Sequence, residues 1–313
     1  MLGESKTVYE NKNNSKSKRI IVKIIIILFI FYSIEKLKNK DFIEKVLYFF
    51  LNLEKYKETV NLENGGNLTI FTNKYKKIQL ETKSGKIYKS DILILTIPGG
   101  SYQNLAEHER EPIAKKFFSF GYSSAILLYS VYPECYPNNY NQGLQAIKLL
   151  SSKFKKIILV GFSAGGHLTG LLGTTQRNKL FNTIGMILCY PVISFIKNAH
   201  KGSRDNFFGD KIKNDKKNQK LFSIENRVTP KTLPTFIWTV KPDKTVPYEN
   251  TLYMIEKLKE KKVFHEYKIY ETGRHGMALA DEVRNGIKEY KNKEVAKWVD
   301  LACSFIDKVV KQS

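Results

Sequence analysis

The sequence predicts an α/β fold with a mostly parallel central sheet and helices on both faces. Three observations favour it. An almost uninterrupted apolar run at residues 92–97 is typical of a strand that is buried on both faces. Strand and helix patterns then alternate along the chain, which is the order that produces parallel sheets. Finally, 313 residues are enough for one large core of this class.

The predicted elements follow one another in a regular order. Strands are expected at residues 92–97, 124–129, 156–160, 184–190, 235–240 and 263–270, and helices at 105–118, 141–153 and 250–261, directly after residue 163, and in a final stretch ending near residue 310. Alternating segments before them predict an antiparallel opening, at residues 68–71, 77–82 and 86–89. We expect one α/β domain at 61–313 with a polar insertion around 194–227. Such an insertion either shapes a pocket or is a solvated helical excursion.

Residues 1–60 are predicted to be a separate segment. The apolar run at 20–34 contains one charged residue, Lys23. As a helix it would cover about 22 Å of a hydrocarbon core that is roughly 30 Å thick. We interpret it as an uncleaved, single-pass membrane anchor, because bulky residues close the run. A buried helix of a soluble protein is the alternative. Lysines flank both ends, so the side of the membrane is not assigned, and residues 42–53 predict an amphipathic helix.

The chain is strongly basic, with 52 Lys and Arg against 30 Asp and Glu and a net charge of +22. Its lysines are spread over the whole chain, and no arginine-rich or aromatic-interleaved block occurs. This pattern argues against a nucleic-acid partner, whereas attraction to an anionic membrane surface stays open. Cys135, Cys189 and Cys303 show neither metal-ligand spacing nor a disulfide pattern. We expect no metal and no cofactor.

The strongest chemical signal is the sequence GFSAGG at residues 161–166, which follows an apolar strand and precedes a helix. A serine on such a sharp turn needs small neighbours, because the chain passes closely on either side. Gly161, Ala164 and Gly165 meet that need. The pattern predicts that Ser163 is a nucleophile at the carboxyl end of the sheet. A tight turn with a capping serine is the alternative.

A second loop, PGGSY at residues 98–102, follows the predicted strand at 92–97. Attack on an acyl bond builds negative charge on the carbonyl oxygen, which preorganised backbone N–H groups stabilise. Paired glycines let the backbone approach that oxygen. We expect Gly100 or Ser101 to provide one donor of this oxyanion hole and Ala164 the other.

Two further loops carry the remaining candidates. Asp243 follows the predicted strand at 235–240, and His275 lies in a glycine-flanked loop after the strand at 263–270. His275 is predicted to be the general base and Asp243 the carboxylate that orients it. The chain order Ser, Asp, His is the order expected in a fold whose nucleophilic serine lies on a turn between a strand and a helix.

The other histidines and aspartates are weaker candidates. His167 lies on the helix that follows Ser163, so we expect it to be structural. The remaining histidines fall in a helix start, in the insertion and in a strand: His108, His200 and His265. The competing carboxylates either precede the nucleophile or lack an adjoining strand: Asp91, Asp205, Asp210 and Asp215.

From about residue 68 to near the C-terminus, the chain resembles the bacterial α/β-hydrolases of the carbohydrate-esterase and acetyl-esterase group, often described as acetyl xylan esterase-like or lipase/esterase-like. The residues that carry the likeness are PGGSY at 98–102, GFSAGGH at 161–167, YPVI at 190–193, Asp243, Val246, Pro247, Asn250, Gly273, His275 and Gly276. Pro98 stands where the related loop often carries a histidine.

The resemblance implies an α/β-hydrolase fold and hydrolysis of short acyl esters, typically acetyl groups on sugars or small alcohols, without a metal. The expected substrate is a small-molecule or carbohydrate ester, cleaved through an acyl-enzyme on Ser163. Two alternatives stay open. A membrane-associated serine peptidase of the prolyl-oligopeptidase type would share the fold, although the missing N-terminal propeller weighs against it. A non-catalytic, membrane-tethered scaffold would have no need of the serine, aspartate and histidine.

Overall fold

The computed structural model describes residues 57–73, 78–83, 85–175, 182–210 and 212–313. The strands are β1 (Lys57–Asn61), β2 (Asn67–Phe71), β3 (Gln79–Thr82), β4 (Gly85–Tyr88), β5 (Ile92–Ile97), β6 (Ser123–Leu128), β7 (Lys156–Phe162), β8 (Thr183–Cys189), β9 (Thr235–Val240) and β10 (His265–Tyr270). The α-helices are α1 (Glu111–Ser119), α2 (Asn138–Ser151), α3 (Ser163–Gly173), α4 (Lys201–Phe208), α5 (Lys216–Leu221), α6 (Glu249–Glu260), α7 (Lys293–Ala296) and α8 (Trp298–Gln312).

An eight-stranded sheet organises these elements, in the order β1-β2-β6-β5-β7-β8-β9-β10. The strands from β6 to β10 in this order are parallel to their neighbours. Strands β1 and β2 are antiparallel at one edge, and β3 and β4 form a separate hairpin. The predicted α/β-hydrolase fold with a mostly parallel sheet is therefore confirmed. All carboxyl ends of the parallel strands lie at one edge of the sheet.

Both faces of the central strands are buried, as the apolar run in β5 predicts. Leu93, Leu95 and Ile97 join one core cluster, whereas Ile92 and Ile94 join the other. Helices α2, α3 and α6 contribute to the first cluster, and helices α1 and α8 contribute to the second. Helices therefore cover the two faces of the sheet.

The boundaries differ most from the prediction in two places. Strand β1 (Lys57–Asn61) pairs with β2, so the α/β unit includes residues before the expected start at residue 61. Helix α1 begins at Glu111 rather than near residue 105. The intervening residues form a loop and a single 3-10 turn at Glu107–Glu109, which carries part of the site described below.

The predicted membrane anchor at 20–34 and the amphipathic helix at 42–53 lie outside the residues that the structure describes. Within the described ranges, no helix combines the length and the apolar character needed to cross a membrane. The anchor therefore stays a prediction from the sequence.

The insertion around 194–227 is helical and packed rather than solvated. Phe207, Phe208 and Phe222 are buried in it, with ring centroids 5.1 to 5.6 Å apart. The side-chain amide of Asn206 in α4 donates to the carbonyl of Ser101, 3.0 Å away. The insertion thus contacts the loop after β5, which is part of the candidate site described below.

His167 connects helix α3 to this insertion. Its Nε2 donates to the carbonyl oxygen of Phe222 at 2.8 Å, so its Nδ1 accepts the hydroxyl hydrogen of Tyr102 at 2.8 Å. Burial lowers the pKa of the imidazole to about 3. The neutral ring is thus fully hydrogen-bonded, in agreement with the structural role expected for it.

The low pKa of His167 predicts a loss of stability in mild acid. An unfolded histidine has a pKa of about 6.5, so between that pH and about 3 the unfolded state binds a proton that the folded state excludes. The free energy of unfolding should fall by about 2 kcal/mol between pH 6.5 and 5 from this group alone. Denaturant unfolding across this range should show that loss in the wild-type chain and not in His167→Gln. If the free energy of unfolding depends on pH in the same way in the wild type and in His167→Gln, His167 is not the cause of the loss.

Candidate active site

Four loops at the carboxyl edge of the sheet enclose a cavity of about 570 Å³. They follow strands β5, β7, β9 and β10, which are neighbours or near neighbours in the sheet. Ser163 and His275 both line the cavity. The loops that the sequence singled out are therefore brought together by the parallel arrangement of the strands.

Ser163 lies on a tight turn between β7 and α3. Its φ of 51° is in the left-handed region, and only 6% of the residue is exposed. A Cβ atom on Gly165 would clash with the carbonyl oxygens of Ile97 and Pro98. The glycine is needed because helix α3 approaches the end of β5 this closely.

Ser163, His275 and Asp243 form one continuous line of hydrogen bonds. The Oγ of Ser163 lies 2.8 Å from Nε2 of His275, and Nδ1 of His275 lies 2.7 Å from Oδ2 of Asp243. A carboxylate only accepts, so Nδ1 carries the hydrogen and Nε2 is free to accept the hydroxyl hydrogen of Ser163. This tautomer is the one that a general base requires.

The loop after β9 holds the Asp243 carboxylate in place. Oδ1 accepts backbone N–H groups of Thr245 and Val246, each at 2.9 Å, while Oδ2 faces His275. The carboxyl group is completely buried, whereas 18% of the His275 side chain is exposed. One carboxylate oxygen of Asp243 is thus held by the backbone, and the other orients the imidazole of His275.

The loop after β5 has an unusual backbone. Gly100, Ser101 and Tyr102 all have positive φ, of 120°, 58° and 57°. The carbonyl of Gly100 accepts from two later residues of the loop, but the N–H groups of Gly100 and Ser101 have no acceptor within the described part of the chain. Both residues line the cavity beside Ser163. They are therefore free to bind an oxygen there.

The third predicted donor, Ala164, lies in the first turn of α3, where backbone N–H groups have no acceptor within the helix. The residue is completely buried. Its position next to Ser163 at a helix N-terminus adds the positive end of the helix dipole to this side of the cavity.

A buried carboxylate that the sequence did not single out anchors this loop. Oε2 of Glu109 accepts the N–H of Gly99 at 2.8 Å, and Oε1 accepts the hydroxyl of Tyr190 at 2.6 Å. In addition, the carbonyl of Pro98 accepts the hydroxyl of Tyr129 at 2.7 Å. The loop with Pro98 in place of the family's frequent histidine is thus held by Glu109 and Tyr129.

Tyr190 extends this anchor to the loop that carries His275. Its hydroxyl oxygen accepts the N–H of Ala278 at 3.0 Å, and its ring meets the imidazole of His275 edge-on with centroids 5.1 Å apart. Glu109 and Tyr190 therefore join the loop after β5 to the loop after β10.

The environment of Glu109 favours its charged form. Burial opposes ionisation, but the nearby imidazole of His108, whose Nε2 lies 3.6 Å from Oε1, and the hydrogen bonds from Tyr190 and Gly99 outweigh it and lower the pKa of the carboxyl group. The only signal in the sequence was proximity to the glycine loop. Three glutamates share that stretch, Glu107, Glu109 and Glu111, and only packing distinguishes them.

Other side chains line the cavity without having been predicted. They are Ala106, His108, Glu109, Pro242, Lys244, Thr245, Arg274 and Tyr290. Lys244 and Arg274 directly follow and precede Asp243 and His275 in the sequence. Adjacency to the predicted residues was therefore the available signal for them.

The chain is similar to several solved hydrolases. It is 31% identical to the acetyl ester-xyloside bifunctional hydrolase from Caldicellulosiruptor lactoaceticus, with a TM-score of 0.62, covering 78% of this chain and 90% of that one. It is 27% identical to the sugar hydrolase YeeB from Lactococcus lactis, with a TM-score of 0.64, covering 82% and 98%. The carboxylesterase Cest-2923 from Lactobacillus plantarum WCFS1, at 23% identity and a TM-score of 0.64 over 82% and 98% of the two chains, shows the shared fold.

A curated relative is similar in sequence. Endo-1,4-beta-xylanase B from Butyrivibrio fibrisolvens is 30% identical over 210 residues, which are 60% of this chain and 33% of that protein. The chain thus spans about one third of the length of that relative.

The fold, the loops and these similarities define an α/β-hydrolase of the esterase-like group. The predicted resemblance to that group is therefore confirmed. More narrowly, residues 78–258 match the BD-FAE family, and the chain belongs to it.

The link between Glu109 and Tyr190 can be tested by a double-mutant cycle. Glu109→Gln places an amide where both partners donate, and Tyr190→Phe removes one of those donors. We expect each variant to lose about 1 to 3 kcal/mol of unfolding free energy, with a coupling of at least about 0.5 kcal/mol between them. Ester hydrolysis should fall mainly through kcat. The reason is that both loops would move, one carrying the N–H groups for the oxyanion and the other carrying the base. Additive losses would show that the two groups act independently.

Proposed function

We propose that the chain is a serine hydrolase that cleaves short-chain carboxylic esters, acetyl esters above all, through an acyl-enzyme on Ser163. The observation that carries the proposal is the unbroken hydrogen-bonded line from Ser163 through His275 to Asp243, which opens on the cavity. A serine with a neutral histidine acceptor and a buried carboxylate behind it is the arrangement that activates a hydroxyl nucleophile.

Acylation begins when Nε2 of His275 takes the proton of Ser163 as Oγ attacks the ester carbonyl carbon. The carbonyl oxygen becomes negative and is received by the N–H of Ala164 and that of Gly100 or Ser101. The C–O bond to the alcohol then breaks, and the imidazolium returns its proton to the departing alcohol oxygen. The acyl group remains on Ser163 as an ester.

Deacylation repeats these steps with water. His275 takes a proton from the water as its oxygen attacks the acyl carbon, and the same N–H groups stabilise the second oxyanion. When the bond to Oγ breaks, the proton passes to Ser163, and the acid leaves. The carboxylate of Asp243 stabilises the imidazolium in both halves of the reaction.

The composition of the cavity wall supports a short acyl group. Among the described residues that line it, there is no leucine, isoleucine, valine, methionine or phenylalanine. A long acyl chain gains affinity by packing against large aliphatic side chains, and this wall does not offer them. The volume of about 570 Å³ is in the range that holds a small organic ligand.

The proposal of a carbohydrate ester as substrate is supported by the similar proteins. The names of two of them mention a sugar or an acetyl ester-xyloside, and the curated relative is named as a xylanase. We therefore propose an acetylated saccharide as the substrate of this chain.

Removal of the nucleophile is the first test. The full chain should hydrolyse 4-nitrophenyl acetate, with activity falling from acetate to butyrate to octanoate because no large aliphatic side chain lines the described cavity. Ser163→Ala should lower kcat by at least about 10³-fold. Ser152→Ala, which removes a surface hydroxyl, is the matched control. Equal activity in wild type and Ser163→Ala would reject the mechanism, and faster cleavage of peptide 4-nitroanilides than of esters would favour a peptidase.

The role of Asp243 can be separated from that of general surface charge. Asp243→Asn keeps the size of the side chain but presents an amide to His275, which favours the wrong tautomer. We expect kcat to fall by about 10² to 10⁴-fold. The control is Asp205→Asn, which changes an aspartate paired with Arg204 in α4. A loss of similar size in both variants would exclude a specific role for Asp243.

A further inference from the structure

We propose that Lys244 and Arg274 form a subsite for a carboxylate on the alcohol part of the ester, so that the preferred substrate is an acylated acidic alcohol such as a uronic-acid residue. This inference rests on the esterase function proposed above. Both side chains line the cavity that contains Ser163. Each sits on a loop that supplies part of the hydrogen-bonded line, next to Asp243 or His275 in the chain.

Among the described residues, no acidic side chain forms an ion pair with either of these two groups. Lys244 is exposed and has no acidic partner within the part of the chain that the structure describes. The guanidinium of Arg274 lies 4.6 Å from the ring centroid of Tyr290, a contact that positions it without cancelling its charge. By contrast, Lys241 in the same loop as Lys244 pairs with Glu271 at 2.7 Å.

The carboxylates near the cavity are already occupied. Glu109, which is part of the wall, accepts from Gly99 and Tyr190, with Nε2 of His108 3.6 Å from it. Asp243 is bound by His275 and by the backbone of its own loop. Lys244 and Arg274 therefore leave an excess of positive charge at the wall, which favours an anionic ligand.

The position of His275 decides which part of the ester carries the anion. Its Nε2 has to return a proton to the departing alcohol oxygen, so the alcohol lies on the His275 side of the scissile bond. Lys244 and Arg274 belong to the two loops on that side, whereas Gly100 and Ser101 would receive the carbonyl oxygen. The planar guanidinium suits a carboxylate, which it can bind with two parallel hydrogen bonds.

A pair of matched probes tests the subsite in the full chain: 4-acetoxybenzoate carries a carboxylate on the leaving alcohol, and 4-acetoxybenzamide replaces it with a neutral amide. The measurement is the ratio of kcat/KM for the two probes, which cancels differences in the amount of folded protein. Each exposed charge contributes up to about fivefold. We expect the ratio to fall by about tenfold in the Lys244→Gln, Arg274→Gln double variant. High salt should lower the wild-type ratio in the same direction.

Lys241→Gln is the control, because it removes one positive charge from the same loop outside the cavity wall. It should leave the ratio of the two probes unchanged. The subsite is overturned if the ratio is the same in the wild type and the double variant, or if it falls equally in Lys241→Gln. In either case, hydrolysis of both probes would still support the esterase function. Failure of the wild-type chain to hydrolyse either probe overturns both.

Discussion

The buried carboxylate of Glu109 is the group on which the geometry of the site depends. One of its oxygens holds Gly99 and the other holds Tyr190, which in turn receives the N–H of Ala278. A charge taken out of water is costly unless hydrogen bonds replace the lost hydration. The folded state therefore requires both loops to be in position at once, and two segments distant in sequence become one structural unit.

The residues that could be predicted are those whose position follows from the sheet. Ser163 and Asp243 come shortly after strands with a buried apolar run, and His275 follows β10, the last strand that the sequence predicts. Parallel strands place such residues at a single edge, so the order of strands and the residue types are enough to expect their convergence. The fold class could be predicted from the alternation of strand and helix patterns along the chain.

The remaining features depend on tertiary packing, which leaves little trace in a local pattern. Strand β1 is polar and lies at the edge of the sheet, where only one neighbour supports it, so no apolar run marks it. Glu109 resembles its neighbours Glu107 and Glu111 until the fold buries it. The insertion looks solvated because lysines and asparagines outnumber its aromatic residues, yet those few aromatic residues form its core.

The three consecutive left-handed residues at Gly100, Ser101 and Tyr102 have a further consequence. For a residue with a side chain, this conformation costs on the order of 1 to 2 kcal/mol, so surrounding contacts have to maintain it. They do so through His167, Asn206 and Glu109, none of which belongs to the loop. A chain selected only for resistance to heat would thus gain by relaxing this loop, at the expense of the free N–H groups it presents. Thermostability and turnover are expected to compete at these positions.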